Sequence, residues 1–167
     1  MDFQKALIAE YDRETASTRK MLDAIPADAD YNYKPHPKSM SMGRLAGHIA
    51  ETAGQWAWSA LAKDKIEMAA GEKYEPYIPA SKEALLARFD KETGETKAIL
   101  AKYTPEQWDG NWKFVAGDQT WINDTKYEVW RIWVVNHLVH HRAQLGVYLR
   151  LLDKPVPGTY GPSADGM

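Results

Sequence analysis

The chain has 167 residues, 44% hydrophobic and 26% charged, with 21 Lys and Arg against 23 Asp and Glu for a net charge of −2. This composition excludes a largely disordered chain, and the balanced charge offers no basic footprint for nucleic acid or an anionic membrane. The sequence has no cysteine, which excludes disulfides, thiolate zinc sites and a cysteine nucleophile, so a metal would have to be held by His, Asp, Glu or weaker oxygen ligands.

The N-terminus carries charges at Asp2, Lys5, Glu10 and Asp12 and lacks the apolar run of a signal peptide. No stretch approaches the ~20 apolar residues of a membrane span. The expectation is a cytoplasmic protein with a single domain over residues 1–167. A first helix is expected over 3–24, because Phe3, Leu7, Tyr11, Thr15, Thr18, Leu22 and Ile25 recur in steps of three and four. Pro26 stops that pattern, and the Pro-, Asp- and Tyr-rich segment to Met40 reads as an ordered loop. Ser39 or Ser41 can cap a second helix running to about Lys65, with Leu45, His48, Ile49, Thr52, Trp56 and Ser59 facing inward. Residues 71–79 (GEKYEPYIP) form a second loop. Ser81 caps a third helix to about Tyr103, whose stripe is Leu85, Phe89, Thr93, Thr96, Leu100 and Tyr103.

Residues 104–123 lack a helical period. Trp112, Phe114 and Trp121 flank Ala116-Gly117-Asp118, which reads as a short hairpin or an ordered aromatic loop. A last helix is expected from about Thr125 to Leu152, with Trp130, Val134, His137, His141, Gln144, Tyr148 and Leu151 on one stripe, ended by Pro155 and Pro157. The fold class expected is all-α: a four-helix bundle with ordered loops and an extended Pro/Gly-rich C-terminal tail. Seven Trp, nine Tyr and three Phe exceed what a plain core needs, so several rings could line a cavity.

The five histidines are His36, His48, His137, His140 and His141. His137 and His141 are one helical turn apart on one face, a spacing that lets two imidazoles share an ion. His48 stands on the apolar face of the second helix. Three imidazoles converging from two helices would leave a metal site with one open position. The competing reading is a set of hydrogen-bonded core histidines without metal. His140 falls on the other side of the stripe, and His36 lies between two prolines in a loop.

Two segments carry a family resemblance. HLVHHRAQLGVYLRLLDKPVPGTYGPSAD, 137–165, resembles the C-terminal part of the DinB family of metalloenzymes, and SMGRLAGHIAE, 41–51, resembles that family's second-helix histidine motif. The resemblance implies a four-helix bundle with an unusual connection order, one divalent ion per chain and a homodimer; imidazole ligands suit Zn, Ni, Cu, Fe and Co alike, with zinc or nickel foremost. Carried onto this sequence, the ligands are His48, His137 and His141. The family usually has Gly where this chain has Ala143, and often Glu near the end, where this chain has Gly166.

Relatives that use low-molecular-weight thiols imply a metal-dependent thiol S-transferase acting on a small electrophile in stress or detoxification. Without a cysteine in the chain, the thiol would arrive as cosubstrate, and the electrophile would sit in an aromatic pocket for which Trp56, Trp130 and Trp133 are candidates. A non-catalytic metal- or ligand-binding stress protein and a metal-dependent hydrolase are the alternatives. Gln144 could hydrogen-bond an imidazole or a bound water. Glu51 could orient a ligand or move a proton, although a solvated carboxylate is the commoner state of a Glu. Arg142 reads as a surface residue in preference to an anchor for a thiol's carboxylate.

Overall fold

The computed structural model describes residues 2–166. Helix α1 is Phe3–Asp23, opened by the Asp2 side chain accepting from the Lys5 amide. Helix α2 covers 42–62 in three parts: α-helical Met42–Glu51, a π-helical turn Thr52–Trp56, and α-helical Ala57–Ala62. Ser41 caps it by accepting from the Arg44 amide. Helix α3 is Lys82–Leu100, capped by Ser81, and α4 is the single turn Pro105–Trp108. Helix α5 covers 126–151, with a π-helical stretch Trp130–Asn136 between Lys126–Val129 and His137–Leu151. Among the described residues, no helix is long and apolar enough to cross a membrane.

The fold is mostly helical but not all-α. Strand β1, Lys65–Met68, pairs in parallel with β2, Asn111–Ala116, which pairs antiparallel with β3, Gln119–Thr125. The expected hairpin is therefore present at Ala116-Gly117-Asp118, where Gly117 takes φ +57°, a left-handed conformation that glycine adopts without a Cβ clash. Strand β1 corrects the expectation that the second helix reaches Lys65. That helix stops at Ala62 because Lys63 is extended (φ −122°, ψ 163°), and the next residues find their backbone partners about fifty positions downstream. The sheet is fastened to the helices by Trp112, 2% exposed, whose indole donates to the Ser59 carbonyl at 3.2 Å.

The long helices pack in an order different from their order in the chain. Helix α1 lies against α3 and α5, and α2 also lies against α3 and α5. Thus α1 and α2 occupy one diagonal of the helical assembly and α3 and α5 the other. The core divides into two clusters. One is aliphatic, around Leu22, Leu45, Ile49, Phe89, Leu138 and Leu145. The other is aromatic, around Tyr11, Trp108, Trp112 and Trp130, and it absorbs much of the ring surplus. Each fully buried large side chain contributes about 1.5–3 kcal/mol.

The π turn in α2 widens the helix and frees carbonyls from their usual i+4 donors. The Ala53 oxygen is satisfied from a neighbouring helix, and the Gly54 oxygen, which accepts from the Ala57 amide, gains a second donor there. The Tyr11 hydroxyl donates to the Ala53 carbonyl, and Thr96 Oγ1 donates to the Gly54 carbonyl at 3.3 Å. The loop before α3 crosses α2 at Gly47, where a Cβ would lie 2.1 Å from the Tyr77 carbonyl oxygen. Only glycine permits that approach.

Arg142 is not a surface residue. It is 2% exposed and forms an ion pair with Glu14 on α1 at 2.8 Å, and its Nη1 donates to the Glu14 carbonyl at 3.1 Å and to Thr18 Oγ1 at 3.3 Å. The Tyr160 hydroxyl accepts from Arg142 Nη2 at 2.6 Å and donates to Glu14 Oε2 at 2.8 Å, which ties the C-terminal tail to α1. Farther along, Asp165 accepts from Arg150 at 2.6 Å and from the Val156 amide at 2.9 Å. The tail lacks regular structure but is held in place.

Candidate metal centre

The three histidines come together. His48 stands on α2 one residue-turn before the π turn, and His137 is the first residue of the α-helical part of α5 after its π stretch. His141 follows one turn later. The ring centroids lie 4.9 Å apart for His48 and His137, 4.5 Å for His48 and His141, and 4.6 Å for His137 and His141. Each ring offers a nitrogen within 4.8 Å of the other two.

These donors fit a divalent ion. His48 Nε2 and His137 Nε2 face each other at 3.2 Å. Two imidazole nitrogens bound at about 2.0–2.1 Å to one tetrahedral zinc stand about 3.3 Å apart. Burial also favours the form that coordinates. It pushes the His137 pKa down, an effect opposed by the Trp133 backbone. Burial lowers His141 to about 4, although a hydrogen bond with Gln144 pulls the other way. Both rings are therefore neutral at neutral pH, as coordination requires.

The ring orientations are fixed from behind. The Gln144 carbonyl accepts from His141 Nδ1 at 2.8 Å, and its amide donates to His140 Nε2 at 3.0 Å. With Nδ1 holding the proton, His141 Nε2 has a free lone pair. His140 is exposed, bonded to Gln144 and packed edge-on against the His141 ring at 4.8 Å, whereas His36 lies exposed in the 26–40 loop, accepting from the Lys38 amide.

Glu51 corrects the expectation of a solvated carboxylate: it is 2% exposed. Its Oε2 lies 2.9 Å from Arg44 Nη1 and 3.8 Å from His48 Nδ1, and its Oε1 accepts from the Tyr77 amide at 2.8 Å. Burial alone would raise its pKa, but the nearby His48 and Tyr74 side chains, the Tyr77 amide and the Arg44 charge outweigh burial and hold it at about 2. The Arg44 guanidinium stands between Glu51 and His48, with Nη1 on Glu51 Oε2 at 2.9 Å and Nη2 donating to His48 Nδ1 at 3.4 Å, so Glu51 acts on the ring through Arg44. Arg44 and Tyr77 were not singled out in the sequence. Arg44 lies one turn before His48 on the same helix face and could have been found there, whereas Tyr77 comes from a loop without a spacing signal.

The lowered histidine values predict a pH response. An unfolded histidine takes up its proton near 6.5, but folded His141 does so only at about 4. Across that window the unfolded chain binds more protons, so this group's contribution to stability is present above 6.5 and is lost as pH falls toward 4. Melting of the metal-free protein should show a steeper loss of Tm from pH 6.5 to 4.5 than melting of His141→Ala. Parallel curves would refute this.

Beside the imidazoles lies a cavity of about 140 Å³, bounded by His48, His137 and the rings of Trp56, Trp112, Phe114 and Trp133, with aliphatic side chains between them. Two of the three tryptophans proposed from the sequence, Trp56 and Trp133, are in its wall. Trp130 is fully buried elsewhere, packed on Tyr11 at 5.1 Å and Trp108 at 5.7 Å.

Comparison with known proteins agrees with this architecture. A family model described as the DinB family matches residues 1–167. The chain is similar in fold to a DinB-like protein of Bacillus cereus, with 23% identity and a TM-score of 0.70 over 93% of this chain and 97% of that one. It is also similar to a DinB-like protein of Bacillus subtilis, with 23% identity and a TM-score of 0.67 over 92% and 97%. No curated protein matches the chain.

Proposed function

The chain belongs to the DinB family, and from that premise we propose that it is a divalent-metal-dependent thiol S-transferase acting on a small electrophile in stress or detoxification. The observation that carries this reading is the juxtaposition of three convergent imidazoles with an apolar cavity that two of them help to line. When bound, a divalent ion would supply an open coordination position that lowers a thiol's pKa and favours the thiolate. The residues provide the rest. Gln144 holds His141 with a lone pair presented, Arg44 anchored on Glu51 positions His48, and the aromatic walls keep water from the reacting atoms. In the transfer, a low-molecular-weight thiol gives its proton to solvent. Its sulfur lone pair forms the new S–C bond, and the leaving group departs with the electron pair of the bond it breaks.

Glu51 argues against the hydrolase alternative. It is held at about 2 and already accepts from Arg44 and Tyr77, which makes it a poor proton acceptor for activating water at neutral pH. A non-catalytic binding protein is separated by experiment. Adding low-molecular-weight thiols to cobalt-loaded protein is expected to produce a sulfur-to-metal charge-transfer band, together with metal-dependent conjugation of a model electrophile. An unchanged spectrum and no conjugate across glutathione, bacillithiol and mycothiol would leave the non-catalytic reading. The proposal includes a homodimer, supported by outward apolar surface at Trp121, 65% exposed, and Ile132, 47% exposed. Sedimentation at micromolar concentration is expected to give twice the chain mass, and a sharp 18.9 kDa species would refute it.

A further inference from the structure

We propose that the cavity beside His48 and His137 binds an uncharged single aromatic ring, so that the electrophile is a benzyl- or aryl-type compound whose reactive carbon is attached to that ring. The assignment to the electrophile rests on the transferase reading above; the ring site itself does not depend on a metal.

Size is the first argument. The cavity measures about 140 Å³, close to the roughly 150 Å³ apolar cavity in an engineered protein that takes up benzene. One six-membered ring fills such a space, and a fused pair exceeds it. Chemistry is the second argument. No Asp, Glu, Lys or Arg is in the wall, and its only ionisable side chains are the two imidazoles. A carboxylate or ammonium group entering there would lose hydration and find no opposite charge. A neutral ring loses little hydration and meets aromatic edges and faces. Trp56 and Phe114 already pack edge-on at 6.1 Å and 76°, the kind of arrangement that aromatic groups prefer.

The third argument is construction. Trp56 ends the π turn of α2, and Trp133 lies within the π stretch of α5. Trp112 and Phe114 come from β2. Three separate elements thus converge on one apolar volume, and two of them depart from α-helical geometry at the residues that enclose it. π-helical turns inside α-helices frequently mark functional sites. With His48 and His137 in the same wall, a substituent on the bound ring can point at the imidazoles while the ring stays among the aromatics.

The test uses the full chain, first without metal and then loaded with zinc. Toluene is titrated against it, followed by tryptophan fluorescence and by the indole NMR signals of the wall, with benzoate and naphthalene as comparisons. Toluene is expected to bind with a dissociation constant of about 1 mM or tighter, and benzoate and naphthalene at least ~10-fold more weakly. Ala60 lies in the cavity wall on α2, and Ala60→Leu, which fills the volume from there, should abolish toluene binding without changing zinc affinity. Should that variant fail to fold, Phe114→Ala enlarges the cavity and should shift preference from toluene to naphthalene. Benzoate binding as tightly as toluene, or folded protein that binds zinc but not toluene, overturns the ring site and leaves the metal reading intact. Toluene binding by protein that takes up no zinc upholds the ring site and overturns the metal reading.

Discussion

Replacing His137 and His141 together by alanine is expected to abolish stoichiometric binding of divalent ions. Zinc sites with four protein ligands are worth about 10–16 kcal/mol, roughly 3–4 kcal/mol per ligand, so each lost imidazole costs about two to three orders of magnitude in affinity. The double variant retains only His48, which sits alone on α2 and cannot chelate. Each single variant should show an intermediate loss. Gln144→Ala should weaken binding by about 10–100-fold, because His141 loses the acceptor that fixes its Nδ1 proton. His36→Ala should change nothing, since His36 lies outside the cluster. Metal analysis after desalting at pH 7.5 reads all of these. Full occupancy in the double variant would remove the three-histidine site.

Arg142→Ala is expected to be the most damaging single change outside the site, at about 3–5 kcal/mol. The loss comes less from the missing attraction than from what stays behind. Glu14 is 5% exposed, and without the guanidinium its carboxylate is buried with the Tyr160 hydroxyl as its remaining side-chain hydrogen-bond donor. The tail's hold on α1 would be reduced to the Tyr160–Glu14 hydrogen bond. Removing both charges with Arg142→Met and Glu14→Leu should recover most of the loss, because a buried ion pair replaced by apolar side chains is often neutral in stability. Urea unfolding measures both, with the midpoint shifting and the slope nearly constant. A loss below about 1 kcal/mol in the single variant would mean that the pair is solvated.

Local signals carried most of what the sequence told. Ser41 and Ser81 do cap helices, the three-and-four steps identify the buried faces of α3 and of α1 from Leu7 onward, with Phe3 at the helix start left 45% exposed, and the spacing of His137 and His141 places them on one face. The failures share a different cause, which is dependence on distant partners. Strand β1 is four residues long, too short to show a period, and it exists because 113–116 lie alongside it. Glu51 is buried because a loop amide 26 residues away donates to it. Arg142 bonds to the Glu14 backbone 128 residues upstream, and nothing near it in the chain distinguishes it from a surface arginine. The π stretches alter which way a helix face turns, so Trp130 and Trp133 part company, one into the aromatic core and the other to the cavity wall.

The diagonal placement of α1 and α2 also bears on how the chain folds. The first two long helices do not form a hairpin, because each packs on partners made later. During synthesis, α1 and α2 would hold their apolar faces open until 82–100 emerges, and α1 would still lack its second partner until 126–151 is complete. Such exposure invites aggregation and chaperone capture. With His48 contributed by the second helix and His137 and His141 by the last, the imidazole cluster is among the final features to assemble. Ion uptake would then follow completion of the chain, and a truncated product ending before α5 would remain both poorly folded and without metal.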